Sequence, residues 1–421
     1  MQSSGPLSKP RPFYGWSVVA ALLVFSTMAV GLAGPNVGLF IAPMSRELGW
    51  SPLTFGWAQF ARMEAVIIAG PVIGRLIDRY GSRVLVGVAA LVTSGLVISL
   101  AFIHTEWHLM AVFVITGLFG MGRVADVYVS PPVARWFVRR RSRAMGIALA
   151  GTPIGIVVFY PLSQLLIDRI GWRDTWFVLG IAGLVVVVPL ALAVLRRAPE
   201  DVGLLPDGDM PAFTEEAAAA AVAEPGHPWT RAQAVRTPAF WLMVAGFSSF
   251  TFGWSTFTIF RVPHFVERGL DPTLVAFAIA ADAVVAVAAS VLLGWRLERI
   301  PPRFGMLFGL SGLAVCGVGL IFVDNIPLLF IANIGYGFGF QTGHVAQNVM
   351  WASYFGRANL GSIRGLALPL TVGLGATAFP IVGAIRDAAG VYTPAWVLAI
   401  AGVALSAALL VNVRPPTPPH P

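Results

Sequence analysis

Very little of this chain is charged, and it has a single lysine and a single cysteine. Asp, Glu, Lys and Arg together make up 11% of the 421 residues, against about 25% in an ordinary soluble domain. That scarcity excludes a water-soluble enzyme. Lys9 is the sole lysine, and Cys316, the sole cysteine, lies within an apolar run. One thiol cannot close an intramolecular disulfide or build a cysteine metal cluster, so a core- or lipid-facing side chain is expected. The sequence also contains no phosphate-binding glycine loop, metal-ligand spacing or nucleophile constellation, so neither a cofactor nor a metal is expected. The formal net charge is +8, but the arginines lie in short runs between apolar stretches, a distribution that argues against nucleic acid.

Apolar residues fill the space that charge leaves. Hydrophobic residues make up 57% of the chain, with 45 glycines and 31 prolines, and the mean hydropathy is +0.78. This is the composition of a polytopic helical membrane protein, where glycine and proline are commoner than in soluble helices. Apolar runs divided by charges predict helices at about 14–40, 53–77, 83–103, 108–133, 144–168 and 174–195. A second set follows at about 238–260, 273–295, 304–323, 327–350, 361–385 and 392–412. The first run, behind Lys9 and Arg11, continues to Phe40, too long for the ~7–15-residue apolar core of a secretory signal.

The two sets repeat in register. Pro43, Glu47, Gly49 and Pro52 recur as Pro263, Glu267, Gly269 and Pro272, and Gly74, Asp78, Arg79 and Arg83 as Gly294, Glu298, Arg299 and Arg303. The expected fold is therefore an all-α membrane protein of twelve transmembrane helices in two pseudo-symmetric six-helix bundles, residues 1–195 and 237–421, joined by a polar linker at 196–236. Parallel repeats of this kind place substrate between the halves near the bilayer midplane. Basic residues crowd one set of span ends, leaving Arg46, Arg169, Arg173, Arg261, Arg268 and Arg386 for the other. The positive-inside rule then places both termini in the cytoplasm of a cell whose inner membrane holds the protein.

The loop after the second predicted helix reads GRLIDRYGSRVLV. Its Gly74, Asp78, Arg79, Gly81 and Arg83 resemble the signature loop of the major facilitator superfamily, as do RWFVRRRSRAMGIALAGTPIG and GWRDTWFVLG further on. The resemblance spans essentially the whole chain. It implies that Asp78 and the arginines gate the transport cycle by latching the outward-facing state; enforcement of topology is the plainer role for any one arginine. RPFYGW, PEDVGLLPDGD, WTRAQAVRTPAFW and GSIRGLALP resemble, within that superfamily, bacterial relatives of the oxalate/formate antiporters and monocarboxylate porters. Those relatives often carry an aspartate and, four residues on, an arginine in helix 8. This chain has Asp282 but Ala286, so the cationic partner of a carried anion must lie elsewhere.

Ionisable groups in mid-span cost at least ~2.5–3.5 kcal/mol on insertion scales and mark function by default. Five stand out: Arg62 and Glu64 in helix 2, Arg123 and Asp126 in helix 4, and Asp282 in helix 8. Arg123 and Asp126 share a helix face and either neutralise each other or serve substrate and proton. Arg62 and Glu64, two residues apart, point different ways. Asp282 is the repeat counterpart of Arg62, which suggests a charge pair across the cavity. Arg62 then binds anion or gates, and Asp282, Asp126 and Glu64 are the proton-coupling candidates, each against a purely structural role. His344 in YGFGFQTGHVAQNVM is read as either a substrate ligand or an interhelical hydrogen bond, and Trp254 as either a pocket wall or packing. The remaining histidines, His264 among them, fall in loops or near span ends and receive no role.

The leading function is secondary active transport of a small organic anion by alternating access, coupled to protons or to exchange, by a chain working as a monomer in the lipid bilayer. The alternative is proton-coupled export of a hydrophobic or cationic compound, with the acids as counter-charge. A non-transporting receptor is disfavoured by the absence of any sizeable soluble domain.

Overall fold

The computed structural model describes residues 13–33, 36–121, 128–205, 207, 229–297, 300–356 and 359–416. Helices account for nearly all of them. In the first half, α1 runs in two pieces, Gly15–Ala33 and Val37–Leu48; α2 is Pro52–Tyr80, α3 Ser82–Leu100, and α4 comprises Glu106–Phe119 and Ser130–Trp136. α5 begins with Arg141–Leu149 and passes into Gly151–Val194, where Gly171 (φ 81°, ψ 166°) leaves the helical region and turns the chain into α6. In the second half, α7 is Pro238–Glu267, α8 Pro272–Leu297, α9 Pro302–Phe322 and α10 Ile326–Phe355. α11 comprises Leu360–Ala376 and Ala378–Ala389, and α12 is Thr393–Val411. These are the twelve expected spans in two six-helix bundles.

Local chemistry sets the ends. Proline opens α2, α7, α8 and α9, a first-turn position where its missing N–H costs nothing. Gly49, Gly269 and Gly390 adopt positive φ just beyond α1, α7 and α11, the left-handed conformation that closes a helix without a Cβ clash. Because those glycines, and not the ends of the apolar runs, stop the helices, α1 and α7 extend to Leu48 and Glu267. Outward faces carry large apolar side chains such as Ile68, Val185 and Phe322, suited to lipid.

The flanks of the linker, at Val194 and Trp229, lie with Tyr14 and Val413 at one end of the bundle, here the linker end. At the far end the halves touch: a Cβ at Gly56 would strike the Phe379 carbonyl, one at Gly383 the backbone of Leu53, and one at Gly38 the carbonyl of Ile259. Thr273 also donates to Asp168 there at 3.3 Å. At the linker end, Gly146, Gly361 and Gly365 face open space, and α2 meets α11 chiefly through the latter's far-end piece.

The linker is docked on the first half through Asp207. This residue, at φ 59°, accepts from the backbone N–H groups of Val138 and Arg139 at 2.9 and 2.7 Å and of Arg140 at 3.3 Å. Burial pushes its carboxyl up, but the three N–H donors prevail and hold it below the ordinary aspartate range. Beside it, the side chain of Arg197 packs on Gly81, and Trp136 donates to the Arg196 carbonyl at 3.4 Å. On the second half, Asn359 donates to the carbonyl of Trp229 at 3.0 Å.

Candidate functional site

The strongest electrostatic feature inside the bundle is one that charge counting misassigned. Arg261 belongs among the span-end arginines if α7 stops at residue 260. Because the helix continues to Glu267, Arg261 is instead buried, 3% exposed, and its Nη2 donates to Asp282 Oδ2 at 2.5 Å. Asp282 is also 3% exposed. Its partner is therefore not Arg62 across the cavity but an arginine of its own half, one helix away. Nε and Nη1 of Arg261 have no hydrogen-bond partner among the described residues, so two donors of a permanently charged group remain for something else. The guanidinium lies 3.7 Å from the centre of the Tyr336 ring, and the Tyr336 hydroxyl is 3.0 Å from Thr258 Oγ1. Tyr160, from α5 of the other half, is buried within electrostatic reach of both Arg261 and Asp282.

The sequence of α10 explains this placement. Tyr336, Phe340 and His344 recur every fourth residue and form one face. Gly335 and Gly339 form another, against Gly312 and Gly309 of α9. Gly337 presses on the Asp282 backbone, and a Cβ there would meet the Asp282 carbonyl. Glycine thus sets the distance between helices, and the aromatics occupy the space that remains.

On α7, Phe250, Trp254, Thr258 and Arg261 lie along the face that meets this aromatic row. Trp254 stacks on Phe340 (5.4 Å, 21°) and meets His344 edge-on at 5.9 Å. Phe250 meets His344 at 5.3 Å. His344 Nδ1 donates to the Phe340 carbonyl at 2.9 Å, which leaves Nε2 as the acceptor of the neutral ring. Trp254 Nε1 has no partner among the described residues. Trp254 and His344 therefore belong to one wall.

Arg62 is buried in its own half, where its Nη1 donates to the Ala33 carbonyl at the end of the first piece of α1; its Nε is unpartnered among the described residues. A Cβ at Gly117 would meet the Arg62 carbonyl. Glu64 faces the other way, toward Gly373 of α11, where a Cβ would lie 3.2 Å from its Oε1. That oxygen is buried without a hydrogen bond among the described residues. The structure thus places Glu64 between the halves and separates Arg62 from Asp282. Arg123 and Asp126 lie outside the described residues, as do the surroundings of Gly74 and Asp78 within α2. Arg79 and Arg83 are exposed at the linker end, Arg79 beside the Tyr80 ring at 5.3 Å.

His264 is a second residue that sequence reasoning passed over. It is buried in α7, with Nε2 2.8 Å from the Leu320 carbonyl and its ring against Tyr392 and Trp396 at 5.9 and 5.2 Å. The signal that could have found both it and Arg261 was Gly269, the glycine that ends α7.

A family model described as Major Facilitator Superfamily matches residues 19–380 and 266–421. The chain is 28% identical to Monocarboxylate transporter 11 of Homo sapiens over 93% of this chain and 81% of that protein. It is 23% identical to Monocarboxylate transporter 2 of Mesocricetus auratus over 87% and 78%. Among solved structures it resembles a mutant of the nucleoside transporter NupG, with TM-score 0.74, 12% identity and coverage of 94% and 99%. It also resembles an inward-facing, occupied bacterial homolog of the human lysosomal transporter Spinster, with TM-score 0.69, 16% identity and coverage of 96% and 97%.

Proposed function

Since the chain belongs to the Major Facilitator Superfamily of membrane transporters, we propose that it is a secondary active transporter of a small organic anion, a carboxylate, working by alternating access. The observation that carries this reading is Arg261. A guanidinium held in the membrane interior by one carboxylate on Nη2, with Nε and Nη1 unpartnered among the described residues, keeps a charged donor on either side of that bond for an oxygen of a second carboxylate. The names of the monocarboxylate transporters it resembles support the same chemistry. A substrate carboxylate that draws the arginine's charge would leave Asp282 free to take up a proton, which couples substrate to protons through the pair. Glu64, between the halves and without a described partner, is the second coupling group. Close backbone contact between the halves at the far end fits one extreme of a rocking cycle. The arginine-rich linker end, with Asp78, Arg79, Gly81 and Arg83 as its gate, then faces the cytoplasm.

The test is counterflow in vesicles reconstituted with the full chain, using labelled lactate, pyruvate and oxalate beside efflux of a lipophilic cation. Carboxylate exchange in the wild type and its loss in Arg261→Gln are expected. Asp282→Asn and Glu64→Gln should each be assayed for accumulation driven by a pH gradient, which is expected to fall further than exchange does. Cation efflux without carboxylate exchange would replace this reading with that of an exporter.

A further inference from the structure

We propose that the transported carboxylate carries an aromatic or similarly flat apolar body, which lies against a ladder of rings leading away from Arg261. This rests on the carboxylate reading above and adds the class of substrate. The ladder begins at the guanidinium, 3.7 Å from the Tyr336 ring centre. Tyr336 and Phe340 follow with centroids 6.0 Å apart and planes 2° from parallel, and Trp254 lies 5.4 Å from Phe340 at 21°. His344 continues the row 4.4 Å from Phe340. The rings nearest the ladder's two ends, Tyr336 and Phe250, are buried, whereas Trp254, Phe340 and His344 are half-buried. In the middle of a helical bundle, half-burial of three rings means that they border a space. The α7 and α10 backbones stand apart here and meet mostly through these side chains.

The wall has an order. A guanidinium with free donors lies at one end, a stretch of near-parallel ring faces in the middle, and beside them an indole N–H at Trp254 unpartnered among the described residues and an imidazole whose Nδ1 is already engaged. A short polar anion such as lactate would meet the guanidinium and leave the ring faces wet. A dicarboxylate such as oxalate would need a second cation along the ladder, and the described residues there offer only His344. A flat ring bearing a carboxylate uses all of it: its acid accepts from Nε or from Nη1 of Arg261, its faces take offset contacts with Phe340 and Trp254, and a ring hydroxyl can accept from Trp254 Nε1 or a ring hydroxyl or N–H donate to His344 Nε2.

The experiment is competition of unlabelled acetate, lactate, 3-phenyllactate and indole-3-acetate against carboxylate counterflow by the full chain in vesicles. The aryl carboxylates are expected to compete at concentrations at least tenfold below lactate, a difference of about 1.4 kcal/mol. In Trp254→Ala the ratio of lactate to phenyllactate half-inhibition should fall toward one, and in Trp254→Phe it should be largely kept. If Trp254→Ala does not fold, Phe340→Leu gives the same readout. Equal competition by lactate and 3-phenyllactate in the wild type overturns this inference and leaves the carboxylate reading standing. Absence of exchange with every carboxylate overturns the underlying reading, and the inference with it.

Discussion

Arg62 in the first half and Asp282 in the second occupy the same place in the repeat, and each lies under a glycine of the same repeat, Gly117 and Gly337, that presses on its carbonyl. The backbones are alike and the charges opposite. Opposite charges at matched positions invite a bond across the cavity, yet each is met within its own bundle: Arg62 by the carbonyl of Ala33 of α1, Asp282 by Arg261 of α7. A pair formed between halves would have to be broken in low dielectric whenever they rocked apart, at a cost of several kcal/mol. Halves that are neutralised separately can move without that penalty, and only a substrate or a proton needs to disturb the pair.

The largest expected effect comes from breaking the pair on one side. Arg261→Gln leaves Asp282 buried and unpaired and should destabilise the protein by about 3–5 kcal/mol, read as a lowered unfolding midpoint in detergent. Adding Asp282→Asn should restore most of that loss, since both charges are then gone. An unchanged midpoint in the single variant would mean that Asp282 has another partner.

Next are the matched glycines. Gly117→Ala and Gly337→Ala each drive a methyl into a carbonyl of the neighbouring helix, and each should cost about 1–3 kcal/mol. The comparison is sharpened by their similarity: the two costs should agree although one helix carries an arginine and the other an aspartate. A cost confined to Gly337→Ala would show that charge and not backbone approach governs the contact.

A smaller effect is expected outside the membrane, where, among the described residues, only the first half is clasped by an acid. Asp207→Asn weakens three charge-assisted hydrogen bonds and should cost about 1–2 kcal/mol locally, seen as faster amide exchange at Val138, Arg139 and Arg140. The sign with pH follows from the lowered carboxyl. Its contribution is complete above the ordinary aspartate value of about 3.9 and is lost only as pH falls through the still lower folded value. The clasp should therefore hold throughout the neutral range, and protection that fades between pH 7 and 5 would contradict it.

The smallest expected quantity is an interaction energy near zero. In a double-mutant cycle of Arg62→Gln and Asp282→Asn, stability changes should add within about 0.5 kcal/mol, because the two side chains do not meet. A coupling well above that would restore the bond across the cavity.

The sequence made the twelve helices, the repeat and the linker legible because each is written in a long-range pattern: apolar runs that lipid requires, and turn residues recurring in register. Arg261 and His264 were hidden for a physical reason. An apolar run ends where a charge or an imidazole begins, but a helix ends where its last carbonyls are capped, and in α7 Gly269 marks that point. The repeat already paired Gly269 with Gly49, so the extension was present in the pattern and outweighed by hydropathy. The partner of Asp282 could not be read at all, since ion pairing between helices depends on rotation about their axes. The ring ladder was half visible: Trp254 and His344 stood out singly, whereas their meeting depends on how closely α9 and α10 approach.

That approach has a bearing on where altered selectivity should be sought. Gly309 and Gly312 of α9 lie against Gly339 and Gly335 of α10 with almost no side chain between them, so two backbones act as one stiff stave. The rings of α10 are carried on that stave, and their spacing from Trp254 is fixed from behind. A methyl added at Gly312 would shift the whole row toward α7 without changing any ring in it. Resizing the space between α7 and α10 is then a matter of shimming a joint at the back of the wall, and a variant library aimed only at the rings themselves would miss its most effective positions.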